Sequence, residues 1–208
     1  MSTQTILSIQ SCVSYGHVGN SAITFPLQRL GVRVWPIHTV VFSNHTGYGQ
    51  WRGKILELST VQEVFQGIKD RGHLSSCNAL LTGYMGSVEL GNTMISALEE
   101  IRKENPDCFY CMDPVMGDVG RGFFVKEGIP EFFKNDLIKH ASLITPNHFE
   151  LEYLVGQKIS TLAQAIEASM KLIANTNRIV LTTSLVLEND QNNIHEIGRA
   201  SCRERVSS

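Results

Sequence analysis

Strand-length apolar runs alternate with helix-period segments along these 208 residues, and that alternation restricts the fold more than any other feature. The runs are "TILSIQ" (Thr5–Gln10), "VRVWPI" (Val32–Ile37), "NALLTG" (Asn78–Gly83), "CFYCMD" (Cys108–Asp113), "SLIT" (Ser142–Thr145) and "IVLTT" (Ile179–Thr183). Between them, "STVQEVFQGIKDRG" offers Ser59 or Thr60 as a cap, a stripe through Val61, Val64, Phe65 and Ile68, and Gly72 as a stop. "SVELGNTMISALEEIRKENP" places Leu90, Met94, Ile95, Leu98 and Ile101 on one face and closes at Pro106. "STLAQAIEASMKLIAN" repeats the scheme from Ser160. Short strands apolar on both faces, joined by helices, predict an α/β fold with a mainly parallel sheet covered on both sides. No repeat, low-complexity tract or linker divides the chain, so a single domain is expected.

In such sheets ligands bind beyond the carboxyl ends of the strands. Each run here ends in a polar segment: "SCVSYGHVGNS", "FSNHTGYGQW", "TGYMGS", "DPVMGDVGRG", "TPNHFELE" and "TTS". Six polar ends delivered to one rim predict a binding site there. Composition narrows what it binds. Lys plus Arg is 18 against 20 Asp plus Glu, a net charge of −2, which argues against a general nucleic-acid or membrane-surface binder. "MSTQTILSIQ" is too short in apolar residues for an export signal, and no segment approaches the roughly 20 apolar residues of a membrane span, so a cytoplasmic location is expected.

The five cysteines are odd in number, and Cys108 and Cys111 lack the second pair that a metal or redox motif needs; packing within a buried strand is the expectation. In the first loop, Gly16 and Gly19 allow tight backbone near a ligand and Asn20 or Ser21 can cap the next helix, although an ordinary turn reads the same way. "GHVGNS" is neither a dinucleotide fingerprint nor a P-loop. Asp113 leaves a strand before a glycine loop holding Asp118 and Arg121, which suits Mg²⁺ shared with substrate phosphates, or simply a good turn. Glu150 falls in the first turn of a helix after Pro146 and Asn147, where acids are common anyway. Two carboxylates, the glycines, and Thr182 with Thr183 together suggest a Mg-nucleotide site. Ser11, His45, Thr46, Trp51 and Tyr84 would then hold the acceptor, flat rings walling a heterocycle and hydroxyls reading its edge.

"SIQSCVSYGHVGNSAITFPLQRLG", "FSNHTGYGQW", "LLTGYMGS", "MDPVMGDVGRG" and "ITPNHFELEYL" closely resemble the pyridoxal kinases of the ribokinase-like superfamily, in order from about Ile6 to about Ser184. The resemblance implies a three-layer ribokinase-like fold, a mainly parallel central sheet flanked by helices. It implies ATP-dependent phosphorylation of the 5′-hydroxyl of pyridoxal, pyridoxine or pyridoxamine, in a homodimer. By residue, it implies that Ser11 bonds the pyridine ring, Thr46 its polar substituents, and Tyr84 packs beside it. Asp113, Thr145 and Glu150 would organise Mg²⁺ and a monovalent cation (K⁺ or Na⁺). Asn147, Thr182 and Thr183 would face the ATP phosphates, with Asp118 near the transferred group. "SNHTGY" speaks against the alternatives, a hydroxymethylpyrimidine or sugar kinase; a non-catalytic vitamer-binding fragment is the third reading.

The family's G-x-G-D loop, whose aspartate takes the hydroxyl proton and whose N–H groups stabilise the moving charge, is absent from these residues. The expectation is an incomplete kinase domain at 1–197 and a non-native tail at 198–208, basic and serine-rich in "RASCRERVSS". Without base and anion hole, such a chain is expected to be near-inactive, since a missing general base alone costs about 10²–10⁴ in rate.

Overall fold

The computed structural model describes residues 3–174, 176–188 and 190–200. An eight-stranded sheet runs in the order β10-β9-β8-β5-β4-β1-β2-β3. Its strands are β1 (Thr5–Tyr15), β2 (Arg33–Asn44), β3 (Gly53–Ile55), β4 (Ala79–Thr82), β5 (Phe109–Met112), β8 (Leu143–Ile144), β9 (Ile179–Leu187) and β10 (Asp190–Ala200). Pairing is parallel from β2 through β9, and only the outer strands β3 and β10 are antiparallel. A separate hairpin joins β6 (Gly117–Asp118) to β7 (Gly122–Phe123). The helices are α1 (Asn20–Arg29), α2 (Leu58–Asp70), α3 (Val88–Glu104), α4 (Ile129–Asn135), α5 (His148–Val155) and α6 (Leu162–Ile173). The expected α/β architecture, a mainly parallel sheet flanked by helices, is what forms.

Alternation along β1 sorts the layers. Leu7 and Ile9 are fully buried in the main core with Val61 and Phe65 of α2, Met94 and Leu98 of α3, and Phe133 of α4. Ser8 and Gln10, on the other face, meet Asn20 of α1. Each fully buried apolar side chain of this kind contributes about 1.5–3 kcal/mol relative to exposure. A second cluster joins Leu151 of α5 and Ala165 and Ala168 of α6 to Leu185 and Leu187 of β9.

The sequence located six of the strands and cut three of them short, β1, β2 and β9 running on to Tyr15, Asn44 and Leu187, and it did not announce β3, β6, β7 or β10. β1 and β2 continue to Tyr15 and Asn44 as a pair, while β4 accompanies β1 only from Ile6 to Ile9. They therefore project past the sheet, and β3 pairs with this extension at Val40–Phe42. Pro36 is tolerated because β2 is still the edge strand there, β3 pairing only further along. The register slips between Gln10↔His38 and Cys12↔Val41, so two residues of β2 face Ser11 alone. Such a bulge bends a strand and re-aims its side chains.

Two capping expectations are corrected. Gly19, not Asn20 or Ser21, caps α1, and both side chains are engaged elsewhere: Asn20 in the network beneath β1, Ser21 with the Val13 backbone at 3.0 and 2.6 Å. α2 starts at Leu58 after Glu57, so Ser59 and Thr60 sit inside its first turn. Asn147 and Thr161 form full capping boxes for α5 and α6. Among the described residues no helix is long and apolar enough to cross a membrane. Of the expected tail, Gly198–Ala200 end β10, and residues 201–208, Cys202 included, lie outside the described residues.

Candidate active site

The extension of β1 and β2 walls a cavity of about 250 Å³ at the carboxyl ends of the strands. Ser11, Thr46, His45, Tyr84 and Asp113 all line it, with Gln10, Val13, Val18, Gly19, Val40, Phe42, Val115 and Phe124. Ser11 comes from the bulge in β1, Thr46 from a 3₁₀ turn after β2, Tyr84 from the end of β4, and Asp113 from the end of β5. Thr39 in the bulge ties two of these together by donating to the Tyr84 carbonyl at 3.2 Å.

Ser11, Thr46 and Tyr84 share a chemical property. None of their hydroxyls has a hydrogen-bond partner among the described residues, and none is sealed off from the cavity. Burial raises the Tyr84 phenol above its ordinary value, so it stays a neutral donor. Three uncommitted hydroxyls around walls of Val13, Val40, Phe42 and Phe124 suit a flat, apolar ring with polar edges.

Gln10 and Gly19 are lining residues that the sequence reading missed or left open. A Cβ at Gly19 would overlap the Ser11 carbonyl and hydroxyl, and its φ of 52° disfavours any side chain. Beneath the cavity, Asn20 donates to the carbonyls of Gln10 (3.3 Å) and Ile37 (2.9 Å), meets His38 Nδ1 (3.0 Å) and accepts from Ser8 (2.7 Å). The Gln10 amide donates to Ser8 Oγ at 3.2 Å. Polar Ser8 and Gln10 alternating in an otherwise apolar strand were the available signal.

The carboxylates stand beside this cavity. Burial pushes Asp113 up to about 6, against a hydrogen bond with Thr145 that lowers it. Burial and the Asp113 charge push Glu150 up to about 8, although Oε1 accepts from Met116 N (3.0 Å) and Oε2 from Asn147 N (2.9 Å). No cationic side chain pairs with either acid among the described residues. A half-buried Asp113 and a buried Glu150, mutually repelling, with a threonine hydroxyl are hard oxygen donors, and they fit a cation. The described residues hold no cluster of three or more His, Cys, Asp and Glu, so the set fits Mg²⁺ that keeps waters and substrate phosphates as its remaining ligands.

The expected phosphate-facing residues divide. Asn147 and Thr183 meet at an isolated bridge on this rim, and Thr183 N donates to the Pro146 carbonyl. The Asn147 side chain is already committed, accepting from Glu150 N (2.9 Å) and donating to Gly117 O (2.8 Å), so it positions the α5 terminus and the hairpin. Asp118 is exposed on the hairpin and accepts from Val119 N. Thr182 does not join them: it is fully buried and bonded to Ser169 of α6 at 3.2 Å. Strand alternation sends neighbouring threonines to opposite faces, so the pair cannot act together. Trp51 is also outside the cavity, its ring packed 4.0 Å from that of Phe42. Gly117 makes room for the Phe149 ring rather than for a phosphate. Ser184, beside Thr183, holds a left-handed φ of 52°, an unusual conformation in a strand that nothing in the sequence announced. Cys108 is buried and Cys111 is raised to about 12 by burial, as expected of packed thiols.

This architecture has known counterparts. The family model described as phosphomethylpyrimidine kinase matches residues 35–203. Pyridoxal kinase PdxY of Rubrobacter xylanophilus is 55% identical over 180 residues, 86% of this chain and 62% of the relative. Its counterpart from Deinococcus radiodurans is 51% identical over 187 residues, 88% of this chain and 63% of the relative. The chain thus spans somewhat under two thirds of the length of these curated relatives. The structure of pyridoxal kinase from Leishmania donovani in complex with ADP and pyridoxine superposes with a TM-score of 0.88 at 33% identity, covering 98% of this chain and 71% of that one. With a family match over most of its length and a close structural relative of that name, the chain belongs to the pyridoxal kinases of the phosphomethylpyrimidine kinase family.

Proposed function

We propose that the protein phosphorylates the 5′-hydroxyl of pyridoxal, pyridoxine or pyridoxamine with ATP, in the cytoplasm. The observation that carries this reading is the set of uncommitted hydroxyls, Ser11, Thr46 and Tyr84, in one cavity with Asp113. Ser11 and Thr46 bond the ring nitrogen and its polar substituents, and Tyr84 packs beside the ring. Asp113 and Glu150, with the Thr145 hydroxyl beside Asp113, would hold Mg²⁺ and a monovalent cation, which would neutralise the phosphate charge of ATP. Thr183 and the exposed Asp118 lie on the phosphate side, and Asn147 holds that rim in shape. A homodimer belongs to the same reading; the exposed, edge-to-face rings of Tyr15 and Tyr48 offer apolar surface for it.

These 208 residues contain no G-x-G-D segment. They supply acceptor and cation binding, while proton removal and the anion hole reside in that segment. The segment 198–208 is on this reading foreign to the kinase domain. The test is an ATP-consumption assay with pyridoxal, run on this chain and on a longer homologous chain carrying G-x-G-D. The longer chain turns over and this one is slower by at least about 10²–10⁴. Equal turnover would sink the division of labour, and an inactive longer chain would sink the kinase reading.

The family description, phosphomethylpyrimidine kinase, favours one second reading, a substituted pyrimidine such as hydroxymethylpyrimidine as acceptor. A panel pairing pyridoxal with hydroxymethylpyrimidine separates the two.

A further inference from the structure

Arg121 lies against the wall of the acceptor cavity and, among the described residues, pairs with no acid. It closes the tight β6–β7 hairpin, in which Asp118 pairs with Gly122 and its own N–H donates to the Asp118 carbonyl at 3.2 Å. Its guanidinium carbon lies 5.5 Å from the centroid of the Phe124 ring, one wall of the cavity. On the other side, Nη1 lies 2.9 Å from where a Cβ on Gly47 would sit. Gly47 follows His45 and Thr46, which line the same cavity. The side chain thus reaches from the hairpin to the turn that carries Thr46.

Among the described residues Arg121 makes no ion pair. The nearest acid in sequence, Asp118, points one carboxylate oxygen at the backbone of Val119 instead. The ring of Phe124 and the missing side chain at Gly47 fix the position of the guanidinium and leave its donors open. A planar fork of N–H donors matches a phosphate better than any other common anion of a kinase site.

Resting on the kinase reading above, we propose that Arg121 binds the phosphate monoester of the phosphorylated vitamer, making it the product-recognition residue at the cavity wall. A methyl group at Gly47 would meet the guanidinium at Nη1 (2.9 Å) and also the His45 ring, whose Nδ1 lies 2.7 Å from that position.

The test is calorimetric titration of this chain with pyridoxine, pyridoxine 5′-phosphate and magnesium–ATP. Pyridoxine compounds are used because they carry no aldehyde to condense with lysines. Arg121→Gln weakens pyridoxine 5′-phosphate by about 10-fold or more, as expected for lost charge-assisted hydrogen bonds, and leaves pyridoxine within about twofold. Arg121→Lys falls between, keeping the charge and losing the fork. Equal losses for both pyridoxine compounds, or none, overturn the assignment, and so does a loss confined to magnesium–ATP. A wild-type chain that binds neither pyridoxine compound overturns the vitamer reading and the assignment together, which separates that failure from the others.

Discussion

The Asp113 charge, added to burial, holds the Glu150 carboxyl at about 8 even though that carboxyl accepts backbone hydrogen bonds from Asn147 and Met116. Asp113 itself is raised to about 6. Both folded values lie above the ordinary carboxylate range near 4, so the folded chain prefers the pair protonated. Stability therefore falls as the pH rises from about 4, where the pair ionises in the unfolded chain, and the penalty is complete above about 8; it is lifted progressively as the pH falls through about 8 and 6 and is gone near 4.

On the proposed reading Mg²⁺ would bind the ionised pair and so reverse the sign. The rise in melting temperature on adding MgCl₂ is larger at pH 8.5 than at pH 5.5, by about 2–4 °C for each kcal/mol of difference in a domain of this size. Asp113→Asn removes the repulsion, lowers the Glu150 value and flattens the magnesium effect. Melts across that pH range, with and without MgCl₂, check this; a magnesium shift independent of pH contradicts it.

Ser11→Ala removes a hydroxyl that no protein group uses. Pyridoxine binding weakens about 3–10-fold, the worth of one neutral hydrogen bond, while the chemical denaturation midpoint stays in place. Thr46→Val behaves the same way. A large loss of stability in either variant would mean that the hydroxyl holds the fold and not a ligand.

The legible parts of this molecule are those with a local signature. Apolar runs located β1, β4, β5, β8 and β9, because a strand buried on both faces needs such a run. The sequence of polar strand ends located the cavity and four of its hydroxyl or carboxyl groups. β3, with three residues, and the hairpin of two-residue strands are too short to carry a period. β2 was cut short at Ile37, where the polar His38 and Thr39 interrupt the apolar run. Thr182 and Thr183 read as a unit, although alternation divides them. Asn147 looked like a free ligand, but its amide is consumed by the local capping box with Glu150 and by Gly117, a residue distant in sequence.

Gly19→Ala tests the close approach at the cavity wall. An added methyl group would meet the Ser11 carbonyl, and the backbone at φ 52° and ψ −134° suits glycine. The strain destabilises the chain by about 1–3 kcal/mol. Relief requires Ser11 to move, so pyridoxine affinity falls more steeply than in Ser11→Ala. Paired denaturation and binding curves decide this, and unchanged affinity at reduced stability would show that the wall adapts without disturbing Ser11.

Asn20→Leu tests the network under the site. Asn20 is 3% exposed and meets Ser8, the Gln10 and Ile37 carbonyls and His38. Leucine matches its size but leaves these groups buried without partners, at about 1–3 kcal/mol for each that water cannot reach. Denaturation should register a loss of at least about 2 kcal/mol on that scale. Because Ser8 also holds the Gln10 amide at the cavity floor, freeing Ser8 loosens Gln10, and pyridoxine binding weakens although Asn20 touches no ligand. Ser8→Ala frees the same amide with a smaller stability loss, and the two variants together separate positioning from packing: a binding loss shared by both follows Gln10, whereas a loss confined to Asn20→Leu follows the fold.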